Sequence, residues 1–215
     1  MPEKQLVYKH GGKDYVLIIR RKKMKNIRYT YKDGVFKVSA PHWSASEKQI
    51  IQGLDKYADQ LIKADVRSKA SSDNFIYILG EKVTLHESGE IPFTDGSVIT
   101  YKNREDLNKN LAKWFLKVVE PRHRYYEKIM GIKKPYKVKI RKMTTRYGTN
   151  SLTTHSITYS LVLVHYSIDV VDSIIIHELA HEFVRNHSKQ FYDVVYKYCP
   201  DYKQLHRRLR KGEFA

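Results

Sequence analysis

The chain has 215 residues, 41% hydrophobic and 29% charged, which is enough apolar material for a real core and excludes a disordered chain. Lys and Arg total 40 against 23 for Asp and Glu, a formal net charge of +17 that fits either a polyanionic partner or a solvated basic surface. One cysteine, Cys199, excludes an internal disulfide and fits a reducing compartment, and the first ten residues lack the apolar run of a signal peptide.

Tyr15 to Arg20 reads as a strand with Ile27 to Tyr31 as its partner. Asp33-Gly34 is a turn signal before a strand over 35–38, which Pro41 stops. Ser44 or Ser46 caps a helix over roughly 47–64, whose apolar stripe is Ile50, Ile51, Leu54, Tyr57, Ala58 and Leu61. A hairpin follows over 75–86, and a short strand over 97–101. The texture changes near residue 103, which sets expected domains of 1–102 (β-rich) and 103–215.

Leu107 to Met130 has helical spacing, with a kink or break expected near Pro121. Strands are expected over 138–143 and 157–163, then a helix from Ser167. Two further helical pieces cover 191–198 and 200–211. Leu161 to Ala180 is the longest apolar stretch. His165, Asp169, Asp172, His177 and Glu178 interrupt it, so no membrane span is expected. The expectation is a soluble, cytoplasmic protein.

The run His177-Glu178-Leu179-Ala180-His181 has the form His-Glu-x-x-His. Residues four apart on a helix share a face, so both imidazoles can meet one metal ion, and Glu178 can reach a water there without being a ligand. Neighbouring Ile174, Ile175, Leu179, Ala180 and Phe183 predict a buried helix. There, unpaired histidines and a glutamate would be costly, and a metal removes that cost. Catalytic zinc takes three protein ligands and a water, and His187 is the third candidate. On a continuous helix it would face away, so the helix must end first. Asn186 tolerates the left-handed conformation that would swing His187 back, and Ser188 can cap the next helix. Val184 stands where related spacings carry glycine.

The segments Thr145-Arg146-Tyr147-Gly148-Thr149, Ser156 to Leu161, His177 to His181, Asn186 to Phe191 and Pro200-Asp201-Tyr202 resemble the YgjP-like family of metallopeptidase-domain proteins, related to SprT-like and WLM proteases. Weaker matches run through Arg20 to Ile27, Ala40-Pro41 and Ile78 to Gly80. The resemblance implies zinc ligands at His177, His181 and His187 and a general base at Glu178. The family's Arg-Trp-Gly-Ser-Cys segment is altered to Arg146-Tyr147-Gly148-Thr149-Asn150, which keeps only the Arg and the Gly.

The fold expected is α+β: a β-rich N-terminal region with a helix, then a zincin-like helix and antiparallel-sheet domain. The leading function is a Zn2+ peptidase in which the strand over 157–163 pairs with an extended peptide. Arg146 and Tyr159 are candidate substrate-binding residues, with Tyr147, Tyr159 or Tyr166 as oxyanion donor. A nucleoside triphosphate diphosphatase using the same ion, with Arg141, Lys142 and Arg146 gripping phosphates, is a rival that the resemblance also implies. A third reading is a nucleic-acid-associated protease or binding module using the basic runs 20–25 and 203–211.

Overall fold

The computed structural model describes residues 3–42, 46–143 and 145–215, with Arg67 described through its backbone alone. It is an α+β chain divided into two compact units, Met1–Ser68 and Lys69–Ala215.

The first unit carries β1 (Glu3–His10), β2 (Lys13–Lys22), β3 (Arg28–Lys32) and β4 (Val35–Pro41), with most of α1 (Glu47–Ala70). The sheet order is β1-β2-β4-β3. The segment expected to partner β2 therefore pairs elsewhere: β3 joins β4 through Asp33-Gly34, while β2 pairs with β1 and, in parallel, with β4. Both turn residues have positive φ, 49° and 87°, the two-residue geometry that keeps a hairpin's natural twist. That tight turn commits β3 to β4. Strand β1 went unread because charged residues dilute its alternation.

Ser46, not Ser44, is the cap within view, since Ser44 lies outside the described residues. Ser46 Oγ accepts the N–H of Gln49, and Gln49 Oε1 accepts the N–H of Ser46, a reciprocal capping box. Ile50, Leu54 and Ala58 of α1 then bury against Leu17, Ile19, Phe36 and Val38.

The second unit holds β5 (Phe75–Ile78), β6 (Glu81–Thr84), β7 (Gly89–Pro92), β8 (Val98–Tyr101), α2 (Arg104–Met130), β9 (Lys137–Arg141), β10 (Gly148–Ser151), β11 (Ser156–Ser160), a 3-10 turn (Leu161–His165), α3 (Ile168–Ala180), α4 (Lys189–Tyr198) and α5 (Tyr202–Lys211). The two hairpins β5-β6 and β7-β8 send Ile76, Ile78, Ile91 and Ile99 into the same core as Leu107, Leu111 and Phe115 of α2. This shared core is why the compact units divide after Ser68, whereas the change of texture falls near 102/103.

Helix α2 runs through Pro121 unbroken. Buried residues on both sides of the proline, Phe115 and Val119 before and His123 and Glu127 after, hold the turn that loses one hydrogen bond. The three-stranded sheet has the order β10-β11-β9, with β10 antiparallel and β9 parallel to β11. No helix among the described residues is long and apolar enough to cross a membrane.

Candidate metal centre

Helix α3 is dominated by Ile and Val and is buried along nearly its whole length, as a helix apolar on most sides must be. It ends at Ala180. Glu182 N–H then bonds the Leu179 carbonyl, and Phe183 and Val184 N–H bond that of Ala180, tightening one further turn before the chain leaves. The expected left-handed residue is absent: Asn186 is not among the described non-glycine residues with positive φ. The reversal comes from the tightened turn and an extended run into α4. Ser188 is the N-cap residue of α4 but makes no side-chain cap bond.

The result brings His177, His181 and His187 together, with one ring nitrogen from each within 4.8 Å of the others. His187 Nε2 and His177 Nε2 are 3.2 Å apart. Two nitrogens on a tetrahedral zinc at ~2.0–2.1 Å stand about 3.4 Å apart, so this pair already has the required spacing. The other nitrogens face outward to partners. His177 Nδ1 lies 2.8 Å from the Tyr202 hydroxyl, and His181 Nδ1 lies 3.2 Å from the Val184 carbonyl. Such outer bonds fix ring orientation and leave Nε2 free for a cation. Burial pushes the His177 imidazole down to about 3, with the neighbouring His181, His187 and His206 adding to the shift. Burial also lowers His181. Both rings are thus neutral at ordinary pH, the form that ligates. Three convergent imidazoles make a fitting donor set for zinc.

Beneath the triad lies Phe191, fully buried, its ring centroid 4.9, 4.6 and 4.8 Å from those of His177, His181 and His187. It forms an apolar floor that all three imidazoles share. Sequence reasoning used Phe191 only as a helix residue and gave Tyr202 no role at the site. The spacing of four from His187 to Phe191 was the available signal for the first.

Glu178 is 6% exposed. Its carboxylate packs against Gly148 of β10, where an added Cβ would lie 2.7 Å from Glu178 Cγ and Cδ. The backbone N–H of Asn150 reaches the same carboxylate, and Asn150 Nδ2 donates to the Glu178 carbonyl at 2.8 Å. Burial raises the Glu178 carboxyl to about 7, against the opposing pull of Arg146 and the Asn150 N–H.

Arg146 is exposed and close enough to act on Glu178. Tyr159 does not reach the cleft. It is fully buried, and its hydroxyl bonds His123 Nδ1 at 2.9 Å. It is the cross-strand partner of Gly148 and so lies on the sheet face that meets Glu178, but its hydroxyl is taken by His123 of α2. His123 Nε2 meets Glu127, which also accepts the Tyr136 N–H and Arg124 Nη1. Tyr166 is likewise buried, its hydroxyl donating to the Leu209 carbonyl, so neither tyrosine serves as oxyanion donor. The strand expected to pair with substrate, β11, has β10 on one side and β9 on the other. The sheet edge beside Glu178 is β10.

An α+β unit in which a buried helix and its exit turn bring three histidines together beside a glutamate has the donor set of metal-dependent hydrolases. A family model, YgjP-like, metallopeptidase domain, matches residues 23–212, and the chain belongs to that family. Among solved structures it is similar to the metallopeptidase zymogen abylysin of Pyrococcus abyssi (28% identity, 42% of this chain, 90% of that one, TM-score 0.40). It is also similar to the zymogen jannalysin of Methanocaldococcus jannaschii (18% identity, 42% and 96%, TM-score 0.38). A search of curated proteins returns no match.

Proposed function

We propose that the protein is a zinc-dependent peptidase in which His177, His181 and His187 hold the ion and Glu178 is the general base. The observation that carries this reading is the convergence of the three ring nitrogens beside a buried glutamate raised to about 7. Membership of a metallopeptidase-domain family supports a peptide or protein substrate. A zinc ion held there supplies Lewis-acid polarisation of a peptide carbonyl and lowers the pKa of water.

The chain's own residues do the rest. Ser160 N–H bonds the Tyr147 carbonyl, so alternate residues of the next strand, Gly148 and Asn150, turn their backbone groups away from β11. With the Asn150 N–H taken by the Glu178 carboxylate, an extended peptide is aligned through the Gly148 backbone groups of that edge. Glu178 accepts a proton from the attacking water at its carboxylate and delivers it to the departing amine nitrogen. Burial lets Glu178 hold a proton more readily than an exposed carboxylate, which suits a group that takes up a proton and passes it on. The fully buried floor at Phe191 keeps water away from the underside of the triad. Neither the diphosphatase nor the nucleic-acid reading gains a supporting observation.

The test is metal content of the purified protein, paired with a peptide-cleavage assay. One zinc per chain, lost in His181→Ala and His187→Ala, with Glu178→Gln keeping zinc but losing turnover, is the expected result. Full turnover in Glu178→Gln, or unaltered zinc binding in His187→Ala, refutes the assignment.

A further inference from the structure

The unit Lys69–Ala215 also holds a cavity of about 630 Å3 whose lining includes neither the three histidines nor Glu178. It is walled by residues just before β5, residues just after β6, the end of β8 and the start of α2. Its floor is apolar, since Leu85, Tyr101 and Leu107 are buried. Its rim is polar, with Asp73, His86 and Glu87 exposed and Arg104 half-buried in the wall.

The backbone of this rim is fixed. The Leu85 N–H bonds the Asn74 carbonyl at 2.8 Å, which ties the segment before β5 to the segment after β6. The Tyr101 hydroxyl accepts the His86 N–H at 3.2 Å, which ties the second segment to β8. The charged side chains on that frame have no such ties. Among the described residues, no acid pairs with the Arg104 guanidinium and no cation pairs with Asp73 or Glu87. Arg104 Nη1 is buried without an acceptor.

Both signs of charge therefore line one cavity without neutralising each other. A donor taken out of water with no acceptor is costly, so the wall is completed by a group that supplies one. A ligand of a single sign does not fit. A polyanion meets Asp73 and Glu87, and a simple amine meets Arg104. A divalent cation does not fit either, because among the described residues only the histidine triad brings three such ligand atoms close together.

We propose that this cavity binds a small zwitterion with an apolar side chain, the chemistry of an α-amino acid or a short peptide. The ligand's carboxylate pairs with Arg104, whose planar fork of donors matches two carboxylate oxygens. Its ammonium group pairs with Asp73 and Glu87, and its side chain covers Leu85, Tyr101 and Leu107. The volume falls within the ~300–1,000 Å3 usual for small-molecule sites. The site is separate from the metal centre and stands whatever bond that centre cleaves.

The experiment titrates leucine, leucinamide, N-acetyl-leucine, glycine and the dipeptide Leu-Leu into the zinc-loaded full-length protein by calorimetry, with amide chemical shifts locating the ligand. Leucine is expected to bind about 10-fold or more tightly than leucinamide or N-acetyl-leucine, since each of these lacks one charge-assisted contact. Glycine, which leaves the apolar floor uncovered, binds more weakly than leucine. The shifts fall at His86 and Arg104. Tighter binding of Leu-Leu than of leucine identifies a short peptide as the source, and weaker binding a free amino acid. Arg104→Gln abolishes the preference for leucine over leucinamide. Asp73→Asn combined with Glu87→Gln abolishes the preference over N-acetyl-leucine, and these exposed positions keep the test readable if Arg104→Gln fails to fold. Absence of saturable leucine binding, or equal binding of leucine, leucinamide and N-acetyl-leucine, overturns the proposal. So does glycine binding as tightly as leucine. Leucine binding that survives Arg104→Gln and disappears in His187→Ala places the ligand on the triad and also overturns it.

Discussion

Gly148→Ala separates metal binding from catalysis. A Cβ at this position meets Glu178 Cγ and Cδ at 2.7 Å, where ordinary van der Waals contact is 3.4–4 Å. The glutamate must therefore retreat by roughly 1 Å, an overpacking strain of about 1–3 kcal/mol. It cannot retreat freely, because it is buried and its backbone is tied to Asn150. A misplacement of ~1 Å in a reacting group costs on the order of 100-fold in rate. Zinc affinity should change little, since no histidine touches Gly148. The assay is a thermodynamic cycle: stability, zinc Kd and kcat for Gly148→Ala in the natural background, and stability again with Glu178→Ala. Removing the glutamate side chain should erase most of the stability cost of the new methyl. Wild-type kcat in Gly148→Ala, or the same stability loss in both backgrounds, would show that this contact does not position the base.

Tyr202→Phe removes the partner of His177 Nδ1 while keeping the ring stack, so zinc Kd should rise about 10–100-fold, as read by competition with a chromophoric chelator. An unchanged Kd would mean that the stack alone orients the imidazole. The second concerns His123, which burial pushes down to about 4 in the folded protein against 6.5 in the unfolded chain. The unfolded state thus binds the extra proton between those values, and stability rises with pH across that window. The His123 contribution is full above about 6.5 and disappears as pH falls to about 4, a loss of about 3 kcal/mol. His123→Gln should flatten the slope of unfolding free energy between pH 4 and 6.5, measured with urea. An unaltered slope would place the buried charge balance elsewhere.

The clustered histidines were legible because helical geometry alone aligns His177 with His181, and an apolar run declares the helix buried. His187 was legible as a consequence of ligand number, yet the path that brings it back was not. The tightened turn over 182–184 is set by packing rather than by a special residue, so Asn186 was a false lead. Tyr159 misled for a related reason. Sharing a sheet face with the glutamate does not make a side chain available to substrate, and here a buried histidine on α2 claims the hydroxyl. Strand pairing was least legible. Whether β10 or β11 is the edge depends on β9, which joins β11 in parallel after the chain has passed through a loop. The first sheet was misread likewise, because its parallel β2-β4 pair has no local turn to announce it.

The three proposed ligands lie within residues 177–187, while the residues packed against the proposed base, Gly148 and Asn150, come from a strand about thirty positions upstream. Under the proposed function, cation capture draws on one helix end, its exit turn and the Tyr202 hydroxyl that orients His177, whereas turnover also requires a long-range contact that closes only when the sheet docks on that helix. A chain in which β10 has come loose should therefore still take up zinc and yet be silent towards substrate. Metal content then reports on the histidine cluster and its supports rather than on the sheet, and a population that is fully loaded can still be only fractionally active.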